Sequence, residues 1–483
     1  MTDVFKRWPP MVWAGLAALA LVVPLLLNGG PLYYFDTGGY IEQGASLLKT
    51  LGVSIPQPDA TGEAGVGEDD GTVIGSRAAV YSAFLIAFQV TAGLTALAIT
   101  QMGLFALTTW LAARGLVRMT GRSTTTLSTS LALLAGGVTA LPFVAGYLMP
   151  DIFAPILLIS VAALTVLWPH LRAWEIILLL GLGAFATVTH PSHMLIAVLL
   201  VPAALLATLL IRGFKGWWLA PLLIALIVGA AAAERVVFTT AAKSVKKAEV
   251  VYQPFLTARA VADGPGYDYL AERCPDEAIA ACALYDQLQV SDNPDRFFAP
   301  NIMFDNSQDL GSFELLPRDT QAAIAGQQTK FFLSVALSRP IDMGRAILTN
   351  VLDQMTRTGL WLHVPTPRIL EQVQNMTSYA PASLAEARLL GSRDWIPTIN
   401  RIHAAFYIAA AAAILVMFVW PAFRPSWEVR VFVLMLVAGI LANALVCGGI
   451  SEPSGRYGAR VIFLLPMAAV WMALLRGRPR AEA

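Results

Sequence analysis

The chain has 483 residues, of which 57% are hydrophobic and 13% charged, and its formal net charge is +1. A soluble domain carries about 25% charged residues, so the deficit excludes an ordinary soluble protein. The near-zero net charge gives no field that would draw a nucleic acid. With a mean hydropathy of +0.63, the chain reads as an all-α polytopic membrane protein, because an outer-membrane barrel would alternate over short segments instead.

The first apolar run, WAGLAALALVVPLLLNGG, is too long for a signal-peptide core and has no small-residue cleavage site, so it reads as a retained span. Further runs predict about ten transmembrane helices, over roughly 10–29, 93–113, 124–147, 152–168, 174–189, 193–211, 217–237, 402–420, 431–448 and 457–475. Basic residues test this order. Lys6 and Arg7, Arg114, Arg118 and Arg122, Arg172, Arg212 and Lys215, Arg424 and Arg430, and Arg476, Arg478 and Arg480 all fall on one side. That side is expected to be cytoplasmic, with both termini inside.

Two segments need separate treatment. Residues 78–113 are nearly all apolar, and a single helix there would be ~54 Å long against a ~30 Å hydrocarbon core. An interfacial helix over about 78–91 followed by one span keeps Arg114–Arg122 inside. The run 331–352 is interrupted by Arg339, Asp342 and Arg345. Met343, Ile347, Val351 and Met355 recur at helical spacing beside Leu348 and Leu352, which predicts an amphipathic helix at the membrane surface.

Three parts result. Residues 1–237 form a transmembrane core with a first external loop. Residues 238–401 form a mainly helical external, periplasmic-side segment between spans seven and eight. Residues 402–483 hold three closing spans. Within the first loop, DATGEAGVGEDDG, residues 59–71, is acidic and Gly-rich and reads as a mobile stretch.

The chemistry-bearing residues collect on the outer side. Asp36 and Glu42 lie in PLYYFDTGGYIEQG, Asp151 in GYLMPDIFAP, His190 and His193 in VTHPSHM, and Glu452, Arg456 and Arg460 in SEPSGRYGARV. Each has a plain alternative. Asp36 reads equally as a helix cap, and Asp151, after Pro150, as a cap for the span it begins. His190 and His193 read as interfacial histidines bonded to backbone, or as metal ligands together with Asp151. Arg456 and Arg460 share a helix face; they either snorkel outward or form a phosphate-binding pair. Tyr33, Tyr34, Tyr40 and Tyr147 line a sugar pocket or belong to the interfacial aromatic belt.

Other signals are weak. No P-loop, HExxH, GxSxG or CxxC motif occurs. Asn375-Met376-Thr377 matches a glycosylation sequon. Cys274 and Cys282 are expected to pair in an oxidising compartment, while Cys447 reads as inert packing within a span.

FDTGGY with Asp36, the stretch SRAAVYSAFLI at 76–86, MPDIF with Asp151 and SGRYGARV resemble elements of the GT-C superfamily of membrane glycosyltransferases. These enzymes use polyprenyl-phosphate-linked sugars and carry an acidic residue just after the first span. The resemblance implies a transferase acting outside the cytoplasm, in a bacterial inner membrane. Asp36 would be the catalytic base and Asp151 an orienting or metal-binding partner. Arg456 and Arg460 would hold the donor phosphate, with Tyr40, Glu42, His190 and His193 near the substrate. A divalent metal ion is a possible cofactor. Partners would be the lipid-linked donor, membrane lipids and an acceptor of unspecified kind. Two rivals stand beside it. A transporter or flippase would place ionisable groups within spans, whereas here only polar residues such as Gln101 and Asn443 occur there. A non-enzymatic assembly subunit would tolerate substitution of Asp36 and Asp151.

Overall fold

The computed structural model describes residues 8–50, 52–53, 72–74, 78–245, 249–276, 278–360, 388–390 and 393–476. Lys6, Arg7, Arg478, Arg480, the acidic stretch 59–71 and the Asn375 sequon lie outside the described residues.

The chain begins with α1 (Pro10–Asn28), α2 (Phe35–Thr50), a short strand β1 (Thr72–Ile74), α3 (Ala79–Thr91), α4 (Leu94–Thr120), α5 (Thr125–Gly137), α6 (Leu141–Gly146) and α7 (Phe153–Val166). Next come α8 (Ala173–Val188), α9 (Pro191–Arg212), α10 (Leu219–Val245) and β2 (Glu249–Val251). A group of shorter helices follows: α11 (Phe255–Ala262), α12 (Pro265–Arg273), α13 (Cys282–Leu288) and α14 (Ala299–Phe304). The chain continues through α15 (Arg318–Ser338), α16 (Pro340–Thr356), α17 (Ile396–Val419), α18 (Trp427–Val446), α19 (Gly455–Ile462) and α20 (Leu464–Leu474).

Seven helical runs are long and apolar enough to cross a membrane: α1, α4, α9, α10, α17, α18 with its extension to Ser451, and α19–α20. This is an integral membrane protein built from helices. The other three expected spans differ. The 124–147 run breaks into α5 and α6, with Thr139 Oγ1 bonding back to Gly136 O at 2.7 Å. The other two are the shorter helices Pro150–Val166 and Ala173–Val188. Every residue of α7 is buried, packed by α4, α8, α9 and α18. Its uniform hydrophobicity therefore reflects a position at the centre of the bundle, where a helix apolar all round belongs.

The 78–113 run divides as expected, at Gly93, whose φ of 85° few other residues would adopt. The run 331–352 does not form one helix. It breaks at Arg339, between α15 and α16, because Pro340 has no N–H and restricts the residue before it. Met343 and Ile347 then face a second hydrophobic core, while Leu348, Leu352 and Met355 are exposed. The expected single stripe is two faces.

That second core lies in residues 251–347 and is distinct from the larger core of the spans. The Cys274–Cys282 disulfide is present. β1 and β2 pair in parallel, Val73 opposite Val250, and tie the first connection to the start of this unit.

Candidate functional site

Two polypeptide turns are brought together by a small backbone device. Leu32 and Tyr147 form a parallel bridge, with Leu32 N–H donating to Gly146 O and Leu148 N–H donating to Leu32 O, both at 2.9 Å. Asp36 and Asp151 each lie four residues beyond their bridge residue. Thr37 strengthens the join, its hydroxyl donating to Leu148 O at 3.3 Å. Gln101, from within α4, donates to Tyr147 O at 2.9 Å and accepts from the Tyr81 hydroxyl at 2.9 Å. A buried amide in a span thus fixes the Asp151 turn.

Asp36 sits in the first turn of α2, and Asp151 in the 3-10 turn that leads into α7. Asp151 is not the cap there; Met149 and Ile152 occupy the cap positions. Its carboxylate instead receives both arginines. Arg456 Nε and Nη2 lie 3.0 and 2.9 Å from Asp151 Oδ2, and Arg460 Nη1 lies 3.4 Å from Oδ1. Arg456 also reaches Asp36, with Nη1 3.2 Å from Oδ2. The side chains of Asp151 and Arg460 are 0% exposed, whereas Asp36 keeps 34%. The cluster therefore has an enclosed end and an accessible end, with Arg456 spanning the two.

The expected arginine face is present: Arg456 and Arg460 lie one turn apart in α19 and both are buried. They are not equivalent. Arg460 Nε and Nη2 donate to Asn443 Oδ1 at 3.0 and 2.8 Å, and Nη2 also lies 3.1 Å from Ser192 Oγ and from Cys447 Sγ. Its donors are taken up inside the protein, whereas Arg456 Nη1 faces the partly exposed carboxylate of Asp36. Asn443 completes the frame by donating to Tyr457 O at 2.8 Å. Cys447, expected as inert packing, touches the cluster.

The two histidines are held by backbone, as their plain alternative had it. His190 Nδ1 accepts from Ser192 N–H at 3.2 Å, and His193 Nδ1 lies 2.7 Å from Ala186 O. Among the described residues no group of three His, Cys, Asp or Glu side chains is gathered for a metal ion. Arginines meet both oxygens of Asp151, and each imidazole meets backbone through Nδ1, while His193 Nε2 is buried without a hydrogen-bond partner among the described residues.

The tyrosines are corrected in part. Tyr33, Tyr40 and Tyr147 are buried in the core, and Tyr40 packs edge-on to Tyr81. They line neither an open sugar pocket nor a lipid-facing belt. Tyr34 remains at the site, its ring 5.1 Å from the Arg456 guanidinium carbon. Burial pushes the Tyr34 hydroxyl above its ordinary value, against the pull of Arg456. Glu42, six residues beyond Asp36 on α2, lies off the Asp36 face. Glu452 pairs with Arg259, 2.7 Å away, and not with the site arginines. Burial raises its carboxyl pKa, and Arg259 opposes that rise.

Sequence reasoning misses Gln101, Asn443 and Ser192 as parts of the site. The available signal was that polar side chains inside apolar spans need partners. No family model matches this chain, and no curated protein or solved structure matches it.

Proposed function

We propose that the protein is a GT-C-like membrane glycosyltransferase of the bacterial inner membrane. It would transfer a sugar from a polyprenyl-phosphate donor to an acceptor on the extracytoplasmic face. In this reading all ten apolar runs cross or fill the membrane layer and both termini are cytoplasmic. The observation that carries it is the convergence of Asp36, Asp151, Arg456 and Arg460 from three distant segments at one end of the helix bundle.

The geometry suggests an order of events. A donor phosphate entering at the accessible end competes with Asp36 for Arg456 Nη1, the guanidinium nitrogen directed at Asp36. Arginine suits this exchange because its fork matches carboxylate and phosphate alike. Asp36, released, accepts the proton of the acceptor hydroxyl. The acceptor oxygen bonds to the anomeric carbon as the carbon–oxygen bond to phosphate breaks. The electron pair leaves on the polyprenyl phosphate, whose charge Arg456 stabilises. Asp151 and Arg460 hold Arg456 in place.

The rival transporter reading would recruit intramembrane polar residues to a substrate path. Gln101 instead binds the Asp151 turn and Asn443 the arginine helix α19, which favours the enzyme.

The test uses purified protein in nanodiscs with a panel of polyprenyl-phosphate sugars. Asp36→Asn should fold and lower turnover by roughly 10²–10⁴-fold, the range for a lost general base. Arg456→Ala should weaken polyprenyl phosphate binding. Wild-type protein that neither binds polyprenyl monophosphate nor turns over any donor would overturn the proposal.

A further inference from the structure

The helix that carries the two site arginines is gripped from outside the span bundle. Gln354, near the end of α16, is buried and holds the backbone of Ser454 at two points. Its Nε2 donates to Ser454 O and its Oε1 accepts from Ser454 N–H, each at 2.9 Å. Ser454 is the N-cap residue of α19, so this side-chain amide fixes the position from which Arg456 and Arg460 project.

Three glycines let the two backbones touch. A Cβ at Gly448 would lie 2.7 Å from Asn350 O, and one at Gly455 2.9 Å from Gly359 O. One at Gly458 would lie 1.9 Å from Arg357 O. The grip continues on the other side of Pro453. Arg259 Nη1 binds Glu452 at 2.7 Å; Arg259 also pairs with Asp263, which accepts from Asn350 Nδ2 at 3.0 and 2.9 Å. The 249–360 unit therefore holds residues 451–458 along their length, yet Gln354 bonds to none of the four charged site residues in these contacts.

We propose that Gln354 is a positioning residue. Through Ser454 it sets the arginine helix, so that anion binding at Arg456 depends on how α16 is seated. This inference rests on the glycosyltransferase reading only for its ligand. A buried amide bonded to both polar groups of one backbone residue constrains translation and rotation together. Its loss leaves the part-buried Ser454 N–H without its acceptor, while Ser454 O keeps Tyr457 N–H at 3.1 Å; an unpaired donor is the costly outcome for a hydrogen bond.

The experiment compares Gln354→Met, which keeps the volume and removes both bonds, with Gln321→Met as a control. Gln321 is equally buried in the same unit and bonds Leu316 O at 3.0 Å, away from residues 451–458. In nanodiscs, Gln354→Met should raise the Kd for a polyprenyl monophosphate about tenfold, the scale of one or two lost hydrogen bonds. Backbone amide exchange over 454–458 should accelerate by a similar factor. Gln321→Met should change neither. Wild-type Kd and exchange in Gln354→Met, or equal changes in Gln321→Met, would overturn the inference. If wild-type protein does not bind the monophosphate, the functional reading fails, and exchange over 454–458 alone decides whether Gln354 positions the helix.

Discussion

Asp36 and Asp151 share Arg456 but differ in what surrounds them. Asp151 is enclosed and answers two guanidinium groups; removing its charge leaves both without their main counter-ion. Breaking such a buried pair costs about 3–5 kcal/mol, so Asp151→Asn should unfold at clearly lower temperature or denaturant concentration. Asp36 is one-third exposed, and a pair of that kind contributes about 0–1 kcal/mol. Asp36→Asn should therefore lose activity while keeping stability. Equal melting of the two variants would show that Asp151 does not anchor the cluster. His190 supplies a second test at this scale. Burial, with His193 and Arg460 adding, holds its imidazole well below its ordinary value. Its folded pKa is thus depressed, and the unfolded chain binds the extra proton between the two values. Stability from this source is present above about pH 6.5 and is lost as pH falls below it. His190→Asn keeps a capping side chain and removes the titration, so the decline of stability on acidification should become shallower. An unchanged slope would rule out His190 as its source.

Among the elements, α19 is the one most dependent on its neighbours. It has two glycines in eight residues, and glycine in a helix costs up to about 1 kcal/mol relative to alanine. On propensity alone Gly458→Ala should help. The structure predicts the reverse, since the new Cβ would meet Arg357 O, a backbone atom, at 1.9 Å. We expect Gly458→Ala to lower stability and to weaken anion binding at Arg456; a stabilised variant would mean that α16 and α19 do not approach this closely. The same element marks what a sequence can disclose. Arg456 and Arg460 are four apart, and that spacing is enough to place them on one face. The position of Asp36 just after an apolar run, and of Asp151 just before one, is equally legible. That the two carboxylates meet is not, because the Leu32–Tyr147 bridge joins residues 115 apart through backbone atoms alone. The fate of Gln101 and Asn443 is hidden for the same reason: their partners include carbonyls, a tyrosine hydroxyl and a guanidinium on other segments. The break of the 331–352 run is different, since Pro340 announces it in the sequence and the apolar stripe obscures it.

At the scale of the whole molecule, two ionic clusters lie at opposite ends of the bundle. The Asp36–Arg460 cluster meets the start of α7 at Asp151, while Arg212 donates to Val166 O at the other end of the same helix, at 2.9 Å. Near that second end Glu175 is buried between Arg114 and Arg118, at 2.6 and 2.5 Å. Residues that suggest a cytoplasmic charge bias therefore also hold a fold contact, so the bias alone is a weaker guide to orientation than it looks. Geometry supplies the stronger constraint. α7 is buried on every side, so it need not match the ~30 Å thickness that a lipid-exposed span must cover. The ten-span arrangement that we propose requires the two ends of these short central helices to face opposite sides of the membrane. Engineered cysteines or reporter fusions test this directly. Positions 300 and 454 should label from outside, and positions 120 and 214 only after the membrane is opened. The decisive position is 214, just past the end of α9 whose other end touches the arginine cluster through Ser192. Outside labelling at both 214 and 454 would put Arg212 and Ser192 on the same side, which no single crossing by α9 permits, and would overturn the span order; outside labelling at 214 with 454 protected would invert the protein and overturn the placing of the site at the outer surface.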